Sequence, residues 1–249
     1  MTTTAAGPTM RYVGLDVHAE TITAAVAEAD GSVRELGTIA NWPEAIRKLV
    51  RRLGAPEALA VCYEAGPTGY PLYWQLTALG VHCEVIAPSL IPTKAGDRVK
   101  TDRRDAVKLA RSYRAGELTA VFVPDAATEA LRDLVRAREG AKRDQLRARH
   151  RVGKFLLRHG RRRPEGMRAW GARHALWLAA QQFAFGGLEA VYDEYRAALT
   201  EVAGRLVRLE AAIAQAVLAL TPTQQALIGA LAALCGVQAV TAATVVSEV

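Results

Sequence analysis

The feature that most narrows the fold is a change of period within the first ninety residues. Three short apolar runs, Tyr12–Val17, Thr21–Ala27 and Val33–Ile39, follow one another with only tight turns between them, and Asp30-Gly31 separates the second from the third. Runs of this length joined by an Asp-Gly link read as antiparallel strands with a hairpin turn. From Trp42 to Leu53 the spacing becomes helical, with Ile46, Leu49, Val50 and Leu53 on one side and Arg47, Lys48, Arg51 and Arg52 on the other. A fourth strand over Leu59–Glu64, a helix over Gly69–Leu79 and a fifth strand over His82–Ile86 complete the stretch.

Three antiparallel strands followed by helix, strand, helix, strand is the order of a ribonuclease-H-like α/β layer fold. Its first and fourth strands are central neighbours, which predicts that Asp16 and Glu64 meet. Downstream, Asp102 to Ala115 reads as a helix whose first turn carries Asp102 and Asp105, three residues apart and on one face. A charged group in an apolar strand is costly unless it is paired or binds metal. Oxygen donors with no His or Cys cluster nearby suit Mg²⁺ or Mn²⁺. Two such ions about 4 Å apart serve in-line attack on a phosphodiester.

Each acid also has a purely structural reading. Asp16 can form an Asx turn with Ala19 or Glu20, Glu64 can lie near the dipole of the helix after Gly69, and Asp102 can be an N-cap with Asp105 as a first-turn acid. His18 and His82 read as packing or strand-end hydrogen-bonding groups.

The net charge of +7 and isoelectric point of about 9.6 favour polyanionic partners, nucleic acid first. Cys62, Cys83 and Cys235 are far apart in apolar settings and form no zinc pattern, which fits reduced thiols in a cytoplasmic protein. Met1 to Pro8 lacks the basic start of a signal peptide and reads as a disordered tail. The uncharged stretch Leu227–Val246 is interrupted by Gly236, Gln238, Thr241 and Thr244, so two short buried helices are expected there and no membrane span.

Two long helices are predicted in the second half. Between Arg132 and Arg163 there are thirteen Lys or Arg against three acids, with a narrow apolar stripe through Leu131, Val135, Ala141, Leu146, Val152, Phe155 and Leu156. This is a nucleic-acid surface or a solvated coiled-coil face. From Leu188 to Leu220 apolar residues alternate spacings of four and three, a coiled-coil seam stopped by Pro222. The order gives a tail over 1–9, a layered domain over 10–117, a coiled-coil region over 118–221 and the start of a helical C-terminal domain over 222–249. There Leu234 to Thr244, with its Gly-Val turn, resembles a helix-hairpin-helix whose backbone amides hold a DNA phosphate.

Four segments stand in order: Gly14-Leu15-Asp16-Val17-His18, Glu64-Ala65-Gly66-Pro67-Thr68-Gly69, Lys100-Thr101-Asp102-Arg103-Arg104-Asp105-Ala106, and Gly236-Val237-Gln238-Ala239-Val240-Thr241-Ala242. Together they resemble the DEDD insertion-sequence transposases of the IS110 family. Leu157-Arg158-His159-Gly160-Arg161-Arg162 and Gly166-Met167-Arg168-Ala169-Trp170 are similar to that family's middle region. The resemblance implies a RuvC-like N-terminal domain, a coiled-coil insertion and a C-terminal transposase domain. It implies four carboxylates that bind Mg²⁺ (or Mn²⁺), falling on Asp16, Glu64, Asp102 and Asp105. It also implies insertion and excision of DNA guided by a structured bridge RNA, in a dimer or tetramer. Lys100, Arg103, Arg143, Arg147, Arg151, Lys154, Arg161 and Arg162 are the expected nucleic-acid contacts.

The family's C-terminal serine lies in a Ser-Gly segment that this sequence does not reach, and Ser247 does not match it. The alternative function is therefore a truncated, non-catalytic DNA- or RNA-binding and oligomerisation protein. A sugar-kinase or actin-like ATPase shares the strand order, but Gly14 to His18 lacks the Asp-x-Gly phosphate turn of those proteins.

Overall fold

The computed structural model describes residues 9–92 and 101–248, and these fall into two compact units, unit 1 up to Val123 and unit 2 from Pro124. In unit 1, strands β1 (Arg11–Val17), β2 (Thr21–Ala27), β3 (Val33–Ala40), β4 (Leu59–Glu64) and β5 (His82–Ile86) form one sheet in the order β3-β2-β1-β4-β5. β1 pairs antiparallel with β2 and parallel with β4. The hairpin between β2 and β3 turns at Asp30-Gly31, as its sequence predicts. Gly31 takes φ +92°, and Asp30 Oδ1 accepts from the Ser32 amide at 2.8 Å.

The two faces of the sheet differ in kind. Val13 and Leu15 of β1, Ile22, Ala24 and Val26 of β2, and Leu59, Val61 and Tyr63 of β4 point to one side. They pack there against α1 (Pro43–Leu53) and α2 (Pro71–Ala78). Because strand residues alternate, Gly14 and Asp16 of β1 and Cys62 and Glu64 of β4 belong to the opposite side. That side is covered by α3 (Asp102–Arg114). Small residues let the helix approach: Ala106 and Ala110 of α3 are fully buried against Ala25 and Ala27 of β2. Tyr12 and Tyr113 meet edge to face, with ring centroids 5.8 Å apart. The result is three layers, helix, sheet, helix.

Gly14 is the tightest point. A Cβ placed there would run into the Ala110 nitrogen and the Ala106 oxygen, and would lie 2.8 Å from Leu109 Cβ. Two of these atoms are backbone and cannot swing aside.

Unit 2 is helical: α4 (Ala126–Arg158), α5 (Ala172–Ala179), α6 (Gly186–Leu218), α7 (Pro222–Ala232) and α8 (Ala239–Glu248). The two long helices pack on each other. Near one end Leu131, Val135, Ile213 and Leu220 join Ile228, Ala242 and Ala243 of the short helices. Near the other, Val152, Phe155 and Leu156 join Leu178 and Tyr192. Of the apolar stripe read in α4, Leu146 is the exception, at 54% exposed. The uncharged stretch 227–246 is divided between α7 and α8, with Gly236 at φ +81° between them. Among the described residues no helix is long and apolar enough to cross a membrane.

Gly14→Ala should therefore lower the unfolding free energy by about 1–3 kcal/mol, the usual range for overpacking, measured by urea titration. Unchanged stability would mean that α3 can move away from β1 at little cost.

Candidate metal centre

The same close contact delivers the acids. On α3, Asp102, Ala106 and Ala110 recur at spacings of four, so they share one helix face. On β1, Gly14 and Asp16 share one strand face. Seating Ala106 and Ala110 over Gly14 thus sets Asp102 over Asp16. The Nε2 atom of His18 lies 3.3 Å from Asp16 Oδ2 and 3.8 Å from Asp102 Oδ1. Ligand atoms of Asp16, His18 and Asp102 all fall within 4.8 Å of one another.

A second, parallel juxtaposition lies one strand over. Leu109 packs against Cys62 of β4. Asp105 is one turn before Leu109, and Glu64 is two residues after Cys62 on the same strand face. The register that pairs Leu15 with Tyr63 also sets Glu64 beside Asp16 along the sheet. Glu64 is exposed and its carboxylate does not join the Asp16–His18–Asp102 group. Asp105 is half-buried, and its charge reaches Asp16.

The helix start explains why two acids are tolerated here. Thr101 is the N-cap, its hydroxyl accepting from the Arg104 amide at 3.4 Å. The cap therefore belongs to Thr101, and Asp102 and Asp105 lie in the first turn, where the helix dipole favours negative charge. Asp16 has no such support. Burial pushes its carboxyl above the ordinary range and the charges of Asp102 and Asp105 add to this, while His18 opposes it. An incompletely neutralised carboxylate facing other acids and an imidazole is a donor set that fits a divalent cation. The oxygens suit Mg²⁺ or Mn²⁺, and the imidazole nitrogen shifts the set toward Mn²⁺.

His18 reads from the sequence as a packing or strand-end hydrogen-bonding group; it does bond to Asp16, and it also joins the acidic group. Its signal was present, because residues two apart at a strand end lie on the same side as each other. His82 is exposed and bonds to Glu84 at 3.2 Å, well away in sequence and strand from that group. Of the expected nucleic-acid contacts, Lys100 lies outside the described residues. Arg103 is exposed, 3.9 Å from Glu35.

In unit 2 the basic run divides into two parts. Arg132 is buried and donates to the Ser247 carbonyl at 2.7 Å. Arg136 is paired with Glu248 and Arg138 with Glu210, each at 2.8 Å. These cations hold α4 to α8 and α6. Further along, Arg143, Arg147, Arg151, Lys154 and Arg158 recur at spacings of four, four, three and four, and all are exposed. They form one stripe, answered locally by Glu139 on Arg143 at 3.7 Å and by Asp144 on Arg147 at 3.2 Å. Arg161 and Arg162 are exposed in the segment after α4.

Comparison with known proteins agrees with this architecture. The model of the DEDD IS110 transposase family matches residues 13–160, more than half of the chain. A protein of Sinorhizobium fredii (strain NBRC 101917 / NGR234), named "Putative transposase y4qE", is 50% identical over 175 residues, which is 69% of this chain and 45% of that protein. The transposase for insertion sequence element IS1533 of Leptospira borgpetersenii is 38% identical over 189 residues, 74% of this chain and 54% of that protein. The chain thus spans about half the length of these relatives. It belongs to the IS110 family of DEDD transposases.

The raised Asp16 pKa has a consequence for stability. Below the unfolded value near 3.8 the group is protonated in both states. As pH rises through the window up to the folded value, the folded chain retains the proton longer, so stability falls. In chelator, Asp16→Asn should match the wild type in acid and exceed it in stability at neutral pH, read from urea melts at the two pH values. A variant less stable at neutral pH would show that Asp16 is well compensated by its neighbours.

Proposed function

We propose that this chain carries the RuvC-like, metal-dependent portion of an insertion-sequence transposase, which cleaves and exchanges DNA strands under the guidance of a structured RNA. The observation that carries the reading is the convergence of Asp16 and Asp102, from β1 and α3, in a member of a transposase family. Asp16, Glu64, Asp102 and Asp105 are the catalytic carboxylates, and His18 shares their site. Those residues would hold divalent cations, which would lower the pKa of the attacking oxygen and stabilise charge on the leaving oxygen.

This chain's own residues do the rest of the work. The rigid seat of α3 on Gly14 fixes the carboxylates before substrate arrives, so little reorganisation is needed at the reacting phosphate. The Arg143-to-Arg158 stripe, with Arg103, Lys100, Arg161 and Arg162, grips phosphates of DNA or RNA. Each contact made adds to a salt-dependent affinity that is insensitive to sequence.

We read 10–117 as the RuvC-like domain, 118–221 as a coiled-coil region that joins copies of the chain, and 222–249 as the start of a C-terminal domain with a helix-hairpin-helix. The position of Glu64 outside the tight acidic group favours one alternative, in which this chain binds nucleic acid and assembles without cutting.

Metal binding tests the site directly. Mg²⁺ or Mn²⁺ added to chelated protein should raise Tm. At a hundredfold excess over Kd the stabilisation is about 2.7 kcal/mol. Asp16→Asn and Asp102→Asn should each abolish the response while leaving the fold intact. In a strand-cleavage assay of the full-length transposase, Glu64→Gln should lose metal-dependent activity. A Tm response that survives in both Asp variants would refute the site, and cleavage surviving in Glu64→Gln would remove that residue from it.

A further inference from the structure

A cavity of about 290 Å³ opens in unit 2 beside the C-terminal end of α4. Trp170, His174 and Trp177 line it, together with Arg161, Arg162 and Arg163. Neither the acidic centre nor the α4 stripe uses these rings.

The aromatic wall is built and held. Trp170 has φ +61°, the one positive value outside glycine among the described residues. For a bulky side chain this conformation costs on the order of 1–3 kcal/mol and persists only where the surroundings enforce it; such strain gathers at ligand clamps. Here the Trp170 amide donates to His174 Nδ1 at 3.1 Å. The Arg149 guanidinium lies 5.2 Å from the Trp170 ring centroid, and its Nε is buried with no hydrogen-bond partner among the described residues. Because Nδ1 of His174 accepts, the neutral ring carries its proton on Nε2. Burial first, and then the charge of Arg163, hold that ring's pKa below its ordinary value. His174 stacks on Trp177 at 5.5 Å with planes 16° apart. It meets Trp170 edge-on, at 4.9 Å and 89°. Flat rings therefore form a corner of perpendicular planes.

The rim is cationic: three arginines, Arg161, Arg162 and Arg163, line it, and among the described residues no lining residue is an acid. Arg161 is anchored, donating to the Gln182 carbonyl at 2.8 Å and lying over the Phe183 ring. Arg162 and Arg163 are exposed. A ligand suited to this site has a flat aromatic body and an anionic edge, which is the chemistry of a nucleotide. The volume is close to the roughly 300 Å³ at the small end of ligand pockets, enough for one ring system and too small for a base pair. Bases within a duplex are stacked on each other and cannot enter, whereas unpaired bases stack readily on aromatic and guanidinium planes.

We propose that this cavity receives one unpaired nucleotide of a single-stranded segment, its base against Trp170 and Trp177 and its phosphates on Arg162 and Arg163. The proposal rests on the nucleic-acid reading above but makes no use of the carboxylate centre.

The test uses the whole chain in chelator and fluorescence anisotropy with labelled probes of equal length: an intact single strand, the same strand with abasic sites, and a blunt duplex. The strands are prepared in ribo and deoxyribo form. The intact strand should bind roughly tenfold more tightly than the abasic one, as stacking of one base predicts, and should quench tryptophan fluorescence. Trp177→Ala should erase that preference and Trp177→Phe should retain most of it, with circular dichroism checking the fold. If Trp177→Ala does not fold, the double variant Arg162→Glu, Arg163→Glu should lose the quench, and a quench that survives overturns the proposal. A base preference in either sugar series supports the pocket, and the larger one identifies the strand's chemistry. Equal binding of intact and abasic strands by the wild type overturns the pocket and leaves the nucleic-acid reading standing. Failure to bind any probe overturns both.

Discussion

Gly14 lets the backbone of α3 lie directly on β1, and the acidic centre follows from that contact. Its missing Cβ would occupy the space of Ala110 and Ala106 backbone atoms. Once those two alanines are seated, two periodicities do the positioning. Four residues back along the helix brings Asp102 to the same face, and two residues on along the strand brings Asp16 to it. The site is therefore a by-product of the tightest packing in unit 1, so a change that loosens the core there also displaces a carboxylate.

The electrostatics oppose the packing. Asp16 is half-buried, feels the charges of Asp102 and Asp105, and among the described residues is offset by His18. Proteins tolerate such local costs where a ligand or reaction requires them. Unit 2 distributes its charge differently. Arg132, Arg136 and Arg138 are joined to Ser247, Glu248 and Glu210 within the unit. The stripe from Arg143 to Arg158 faces solvent. One helix thus uses the cations of its first half for packing within the unit and presents those of its second half to solvent.

The strand and helix order was legible because each element has an unambiguous period and is bounded by turn residues. Asp30-Gly31 announced its hairpin, and Gly236 announced the break between α7 and α8. The pairing of Asp16 with Asp102 was legible only through the ordered motifs, since residues so far apart in sequence have no local relation. The helix start at Asp102 was legible, but the alternative that made Asp102 the cap of α3 falls one residue late, as Thr and Asp both serve as caps and the Thr101–Arg104 bond distinguishes them. The base run 132–163 read as uniform, because a composition count cannot separate a buried arginine from an exposed one.

By itself the sequence determined the element order, the apolar face of each element, the cationic excess and the four candidate acids. These depend on spacing along the chain, which is written directly in the residues. The tertiary structure alone decided that Glu64 sits beside the group of Asp16, His18 and Asp102 and not within it, and that Trp170, His174 and Trp177 frame a cavity. Each of those outcomes depends on distances between segments, and such distances are set by how closely backbones can pack.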